Sequence, residues 1–535
     1  GNFFSYPDSR TVQTSYGKVR GRRLIYEGDK QVDAFQGIPF AKPPLGELRF
    51  KKPQPPASWD GIRDTKAFSK RPIQSRIHWI EYFLKALTSE DCLYLNVFTP
   101  CWEPPKNGFP VMVYLFPGGF EMGDTQHYGD KNICEHLITR DVIFVTVAYR
   151  LGFLGFFTTG DDECRGNAGL WDQVAALRWI NENIEAFGGD KHNITLLGQS
   201  AGAVSTDMLH LSPHSTGLFH KMIMMAGNSE IEIVKNKYAP QHCKEKATRL
   251  GVTEYNNSKD MLDQLRLLPA KEFAVSIKMF EPEPKKLVEF ETVPFIDGDF
   301  FPEPLDELRK KAIPKPMISG VTKEEGLLFL LDKKPSEKLL DEAIDLASSQ
   351  SANRKELAKE LRSFYATEAV LADEENLMRA IANVMSDCLM NVPLLELCRK
   401  TVAAQKKPLY LYTFDHYNPS VVGICAQHLP IQDTTHSAEL LYLFNKNIFF
   451  GSLKLTDEDS VLMEAFTSAF VNFAKYGDPN GSDPRKSDLP EWSPVEERNL
   501  QRNYVFKGGK CLMDDVFMEG RTGKIIEIMA RHRSS

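Results

Sequence analysis

Five residues, Gly198-Gln199-Ser200-Ala201-Gly202, constrain what this chain can fold into more than any other stretch. Just before them stands a short apolar run, Ile194 to Leu197, with the length and composition of a strand buried on both faces; after them the pattern turns helical. Only a very tight turn fits between the two, and a turn without room for side chains takes glycine at its flanks. A serine at the apex projects its hydroxyl above the sheet edge, at the N-terminus of the following helix, where developing negative charge is favoured. A bare G-x-S-x-G arises often by chance. The strand–turn–helix context, with Phe187-Gly188-Gly189 just upstream, selects a reactive serine over a decorative Ser-Gly loop.

The surroundings fit such a turn. Val111 to Phe116 and Asp141 to Tyr149 are short, mostly apolar runs typical of doubly buried strands. Between Gly169 and Phe187, apolar residues recur at helical spacing: Leu170, Val174, Leu177, Ile180 and Ile184. Strand, helix, strand in this rhythm predicts a large, mostly parallel sheet flanked by crossover helices, an α/β fold. Ahead of it, Val19 to Tyr26 and Gln31 to Phe35 predict an antiparallel N-terminal sheet, and residues 336–397 read as predominantly helical, with charges on a solvated face.

Bulk properties narrow the function classes. The 535 residues set a soft prior of three or four domains at about 150 residues each. A net charge of −7 leaves no concentrated basic face for nucleic acid. No stretch approaches the roughly 20 uninterrupted apolar residues of a spanning helix; the most apolar, Val142 to Phe157, is broken by Arg150. Nine cysteines, an odd number without a C-x-x-C pair, point to free thiols in a reducing compartment. Cys425 and His428 have a loosely metal-like spacing, but no second pair completes a site, so no metal is expected. The sequence as given shows no signal peptide, retention tetrapeptide or anchor-addition tail.

A hydroxyl is a weak nucleophile until a base takes its proton, and the base needs an orienting carboxylate. Ordered stretches along most of the chain supply the partners: Phe35 to Ala41, Glu90 to Val97, Gly166 to Gln173, Phe187 to Gly202, Ile296 to Asp299, Lys323-Glu324-Glu325-Gly326 and His436-Ser437-Ala438-Glu439-Leu440. In content and order they resemble the type-B carboxylesterases, the family of cholinesterases, juvenile hormone esterases and the non-catalytic neuroligins. The resemblance implies one α/β-hydrolase domain over residues 6–525, with Ser200 as nucleophile, His436 as base and Glu325 as acid. The residues alone leave Glu324 an equal candidate for the acid. The resemblance further implies an oxyanion hole of backbone N–H groups from Gly118, Gly119 and Ala201, no cofactor, and a small-molecule ester as substrate. Phe116, Phe120, Phe300 and Phe301, with Gln199 inside the elbow, are candidates to line the substrate pocket; ordinary core is as good a reading for each phenylalanine.

Departures from the family pattern matter too. Pro117 stands where a third glycine is usual and Phe116 where many members have histidine or tyrosine. Met225-Ala226-Gly227 lacks the serine that often supports the triad from below. Trp79 is displaced from the place of the choline-binding tryptophan, and Tyr82 lies nearer, which argues against choline esters; neutral, largely apolar esters are expected. Cys92 keeps its family position, but Lys70 to Gln74 offers no cysteine to pair with it, and Leu250 to Leu265 lacks the second usual pair. These losses predict an intracellular member. Gly1-Asn2-Phe3-Phe4-Ser5 fits the N-myristoylation pattern if an initiator methionine has been removed, with a processing remnant as the alternative; a single chain of this kind gives only marginal peripheral membrane binding. A catalytically weak, neuroligin-like binding protein is the alternative function, and the oligomeric state is left open.

Overall fold

A computed structural model describes residues 6–74, 87–235, 237–275, 287–404, 406–446, 454–483 and 489–532. Gly1, Trp79 and Tyr82 lie outside these residues. Contacts divide the chain into two compact units, each drawn from several stretches of sequence.

The first unit comprises residues 1–223, 234–280 and 290–313. The strands of its main sheet are β1 (Asp8–Thr14), β2 (Gly17–Ile25), β3 (Val32–Pro39), β4 (Ile62–Asp64), β5 (Tyr94–Pro100), β6 (Phe109–Leu115), β7 (Ile143–Val147) and β8 (Gly189–Gln199). They pair in the order β1-β2-β3-β5-β7-β6-β8, with β4 on β2. The first four steps are antiparallel; from β7 to β6 to β8 the pairing is parallel. β6 and β7 are buried along almost their whole length, which is why they read as continuous apolar runs rather than alternating ones. Helix α1 (Ala168–Asn183) crosses between β7 and β8, and α2 (Ala201–Leu211) follows the turn at Ser200. α1 is buried on nearly every side, so its periodic apolar stripe understates how deeply it sits.

Among the buried ion pairs of this unit, that of Arg150 with Asp172 lies deepest. Arg150, in the loop after β7, donates from Nη2 to Asp172 Oδ1 at 2.7 Å and from Nε to Oδ2 at 2.8 Å, while the Arg150 backbone N–H also reaches Oδ2. Both side chains are buried. Two bridging bonds and a backbone donor offset the desolvation that makes isolated buried charges costly.

The second unit comprises residues 224–233, 281–289 and 314–535; strand β9 (Lys221–Met225) has residues in both. Its strands β10 (Met317–Thr322), β11 (Leu409–Phe414) and β12 (Asn503–Phe506) pair in parallel, and β13 (Leu512–Asp514) adds an antiparallel edge. The helical stretch anticipated over 336–397 is present as helices Glu337–Ser348, Arg354–Tyr365, Glu374–Ser386 and Val392–Ala404, the last two joined through a π-turn at Asp387–Asn391. The joined run Glu374–Ala404 is long and apolar enough to cross a membrane, yet 89% of its apolar window is buried inside the protein, as in a core helix. A mixed α/β architecture with a parallel middle and antiparallel N-terminal strands is the one the sequence predicts.

Candidate active site

β8 ends at Gln199, and the chain reverses into α2 within one residue. Ser200 sits there with φ 53° and ψ −124°, outside the regions open to ordinary L-residues, and caps α2 with its carbonyl, which accepts from Val204 N–H. Such a conformation costs on the order of 1–3 kcal/mol and persists only where packing dictates it. The packing here is backbone against backbone. A Cβ at Gly198 would lie 2.2 Å from the carbonyl carbon and oxygen of Gly202, and one at Gly202 would lie 2.0 Å from Leu115 O. The two glycines therefore let α2 press onto β8 and onto the end of β6, and Ser200 is left half-exposed at the apex. Gln199, directly before it, is fully buried.

The loop leaving β6 carries the other backbone element. After Phe116 and Pro117, Gly118 (φ 129°) and Gly119 (φ 62°) turn the chain back, and the Gly118 carbonyl accepts from both Glu121 and Met122 N–H at 3.0 Å. Among the described residues, the amides of Gly118, Gly119 and Ala201 donate to no protein acceptor. Unpaired backbone N–H groups are the chemical requirement for stabilising an oxyanion. Pro117 lacks an N–H but is not one of these three. Phe290, which sequence reasoning missed, packs its ring on Gly119, where a Cβ would come within 2.4 Å of Cε1. Nothing in the spacing of the sequence signals a contact across that separation.

In the second unit the structure brings His436 and Glu325 together. Nδ1 of the imidazole hydrogen-bonds Glu325 Oε2, and Glu325 Oε1 accepts from Thr322 N–H at 2.5 Å. Both side chains are buried, and the Phe329 ring flanks the imidazole at 5.7 Å. A buried carboxylate on Nδ1 fixes the tautomer and leaves Nε2 as the working nitrogen. Glu324 makes no such contact: among the described residues one of its oxygens has no partner, and burial pushes its carboxyl up to about 7. Ala226 is buried, holds φ 49° and donates its N–H to Gly320 O at 2.8 Å, and as an alanine it has no hydroxyl to offer. Glu439, three residues past His436, is fully buried with both carboxyl oxygens unbonded among the described residues. Burial, then the charge of Glu325, push its carboxyl well above the usual range. A neutral Glu439 spares Glu325 a second buried anion.

The four phenylalanines proposed as pocket wall have no exposed surface. Phe116 stacks on Tyr149 at 4.3 Å, Phe120 meets Phe156 edge-on, and Phe300 packs between Trp171 and Phe301. Their partners are those of the core, and the ring that stands on the glycine turn is Phe290 instead. His428 is bound to Asp332 through Nδ1, and among the described residues no cluster is arranged to hold a metal ion. All nine cysteines are free thiols.

Comparison with known proteins gives a consistent picture. The sequence profile described as the carboxylesterase family matches residues 8–514. The chain is 35% identical to Esterase cest-33 of Caenorhabditis elegans, over 97% of this chain and 95% of that one. It is 33% identical to the juvenile hormone esterase of Tribolium castaneum, over 92% and 89% respectively. It is 31% identical to pyrethroid hydrolase Ces2a of Mus musculus, over 91% and 86%.

Proposed function

This chain belongs to the carboxylesterase family and is a carboxylic ester hydrolase of the α/β-hydrolase fold, and we propose that it works through an acyl-enzyme on Ser200 and takes neutral, largely apolar esters. The observation that carries the reading is the backbone of Ser200, a strained non-glycine apex between two glycines that nothing but a projecting hydroxyl requires. The non-catalytic alternative finds no support among relatives named as esterases and hydrolases.

In the proposed reaction, His436 Nε2 takes the proton of Ser200 Oγ as the oxygen bonds to the ester carbonyl carbon. The carbonyl oxygen becomes an oxyanion, for which the amides of Gly118, Gly119 and Ala201 are the donors; losing one such donor typically costs about 10²–10³ in rate. Glu325 keeps Nδ1 protonated and stabilises the imidazolium. As the tetrahedral species collapses, the bond to the alcohol oxygen breaks and His436 returns the proton to that oxygen. Water, deprotonated by the same imidazole, then attacks the acyl carbon, and Ser200 Oγ leaves with the proton. Every proton is accounted for by one imidazole, so no cofactor enters the scheme. Residues 6–525 form one catalytic domain on this reading, supported by a family match that runs through both compact units.

Apolar specificity is supported by the Phe290 ring on Gly119. Relatives with names as different as juvenile hormone esterase and pyrethroid hydrolase carry no single substrate over to this chain. An intracellular setting is supported by nine free thiols, of which burial pushes Cys164, Cys243, Cys398 and Cys425 up to about 12. Myristoylation of Gly1 belongs to the same reading, and intact-mass measurement of the natively expressed protein decides it.

The test is a fluorophosphonate probe with p-nitrophenyl butyrate turnover. Labelling is expected at Ser200, and Ser200→Ala is expected to lose both labelling and hydrolysis; undiminished turnover in that variant refutes the assignment.

A further inference from the structure

The glycine turn carries an acid that the reaction above does not use. Glu121 stands two residues past Gly119, and its side chain is buried at 1% exposure. Its Oε1 accepts three hydrogen bonds from a distant part of the sequence: Glu291 N–H at 2.6 Å, Thr292 N–H at 3.0 Å and the Thr292 hydroxyl at 3.3 Å. The residue before this pair is Phe290, the ring that packs on Gly119. A closed circuit results, running from Gly119 through Phe290, Glu291 and Thr292 to the carboxyl of Glu121 and back along two peptide units.

The circuit has a mechanical meaning. Phe290 is half-buried and follows directly on residues 287–289, whereas Thr292 is buried. The carboxyl of Glu121 holds the backbone amides of Glu291 and Thr292, and among the described residues no counter-charge pairs with it. The charged group facing it is Glu291, whose own carboxylate is engaged by Arg249 at 2.8 Å. An unpaired acid buried at such a place is costly. Burial pushes it up to about 8, against the pull of the Thr292 and Glu291 amides.

We propose that Glu121 is a positioning residue for ester selectivity, fixing the Phe290–Thr292 segment so that the Phe290 ring stands on Gly119 and limits the bulk accepted beside the reacting carbonyl. The proposal rests on Gly118 and Gly119 being oxyanion donors. An ionised carboxylate accepts hydrogen bonds about twice as strongly as a neutral one, so discrimination against bulk tightens as the acid loses its proton.

The experiment compares the full-length wild type with Glu121→Gln, Glu121→Met and Phe290→Ala. The readouts are kcat/KM for p-nitrophenyl esters of increasing acyl length and branching, from about pH 6.5 to pH 9.5, and fluorophosphonate labelling of Ser200 in each protein. Phe290→Ala and Glu121→Met are expected to shift the preference the same way, toward bulkier acyl groups, by about tenfold in the ratio of kcat/KM values. Glu121→Gln, which keeps an acceptor oxygen, is expected to retain the wild-type preference at neutral pH and to lose its tightening above pH 8. A wild-type preference retained in either Glu121→Met or Phe290→Ala overturns the proposal. Should Glu121→Met fold poorly, the pH series decides: a wild-type preference that stays flat across the range, like that of Glu121→Gln, overturns it as well. Absence of Ser200 labelling in the wild type would instead strike the acyl-enzyme reading, so the two failures are distinguishable.

Discussion

Replacing Gly202 by alanine adds one methyl group where the structure has no room for it. The new Cβ would stand 2.0 Å from Leu115 O, 2.7 Å from Leu115 C and 3.0 Å from Phe116 O, all backbone atoms. Ordinary contact begins at 3.4 Å, so about 1.4 Å of separation must be found between α2 and the end of β6. The backbone torsions of Gly202 itself suit alanine, and the penalty is purely one of overpacking, about 1–3 kcal/mol. The larger effect is on catalysis. Leu115 and Phe116 lead directly into Gly118 and Gly119, while Gly202 rides on the helix that begins after Ser200. On the proposed mechanism, prising these apart moves Ser200 relative to the amides of Gly118 and Gly119 by the order of an ångström, which typically costs about 10²-fold in rate. The assay is active-site titration with a fluorophosphonate, followed by p-nitrophenyl butyrate turnover per titrated site, with thermal unfolding run in parallel. A folded Gly202→Ala protein turning over within about twofold of wild type would refute the argument that these glycines set the geometry.

Three further outcomes are expected. Glu325→Gln should lower kcat by up to about 10⁴, as an amide no longer holds the imidazole in its working tautomer, while Glu324→Gln should leave kcat nearly unchanged; equal losses in both would dissolve the distinction drawn from the Nδ1 contact. Asp172→Ala strands the Arg150 guanidinium in the core and should destabilise the fold by about 3–5 kcal/mol in denaturant unfolding, an effect a surface pair would not produce. For Glu121 the folded carboxyl lies above its unfolded value of 4.5, so the native state binds the extra proton and stability falls as pH rises from 4.5 to about 8. Glu121→Gln should remove that slope, by on the order of a few kcal/mol across the window; parallel stability curves for the two proteins would contradict the burial of an ionisable acid there.

Much of this was legible in the residues because the constraints are local. A glycine on either side of Ser200 announces a turn that side chains cannot enter, and the runs at 111–116 and 141–149 announce strands buried on both faces. Glu325 was reachable only through the resemblance to a family, since in sequence its neighbour Glu324 is chemically identical; what separates them is which carboxyl meets Nδ1, a fact of tertiary packing. The four phenylalanines illustrate the opposite difficulty. An aromatic residue beside a catalytic motif suits the core as well as a cleft, and Phe116 and Phe300 found Tyr149 and Trp171 as partners. Phe290 and Glu121 went unnoticed because a hydrogen bond spanning 170 positions leaves no periodic trace.

The backbone at Ser200 also sets stability and turnover against each other at a single position. A residue without a Cβ would adopt φ 53° at little expense, so a glycine there should yield a sturdier protein with no chemistry left in it. Selection for hardiness alone would erode this apex first, and efforts to toughen the enzyme are better directed at sites where the chain is already at ease.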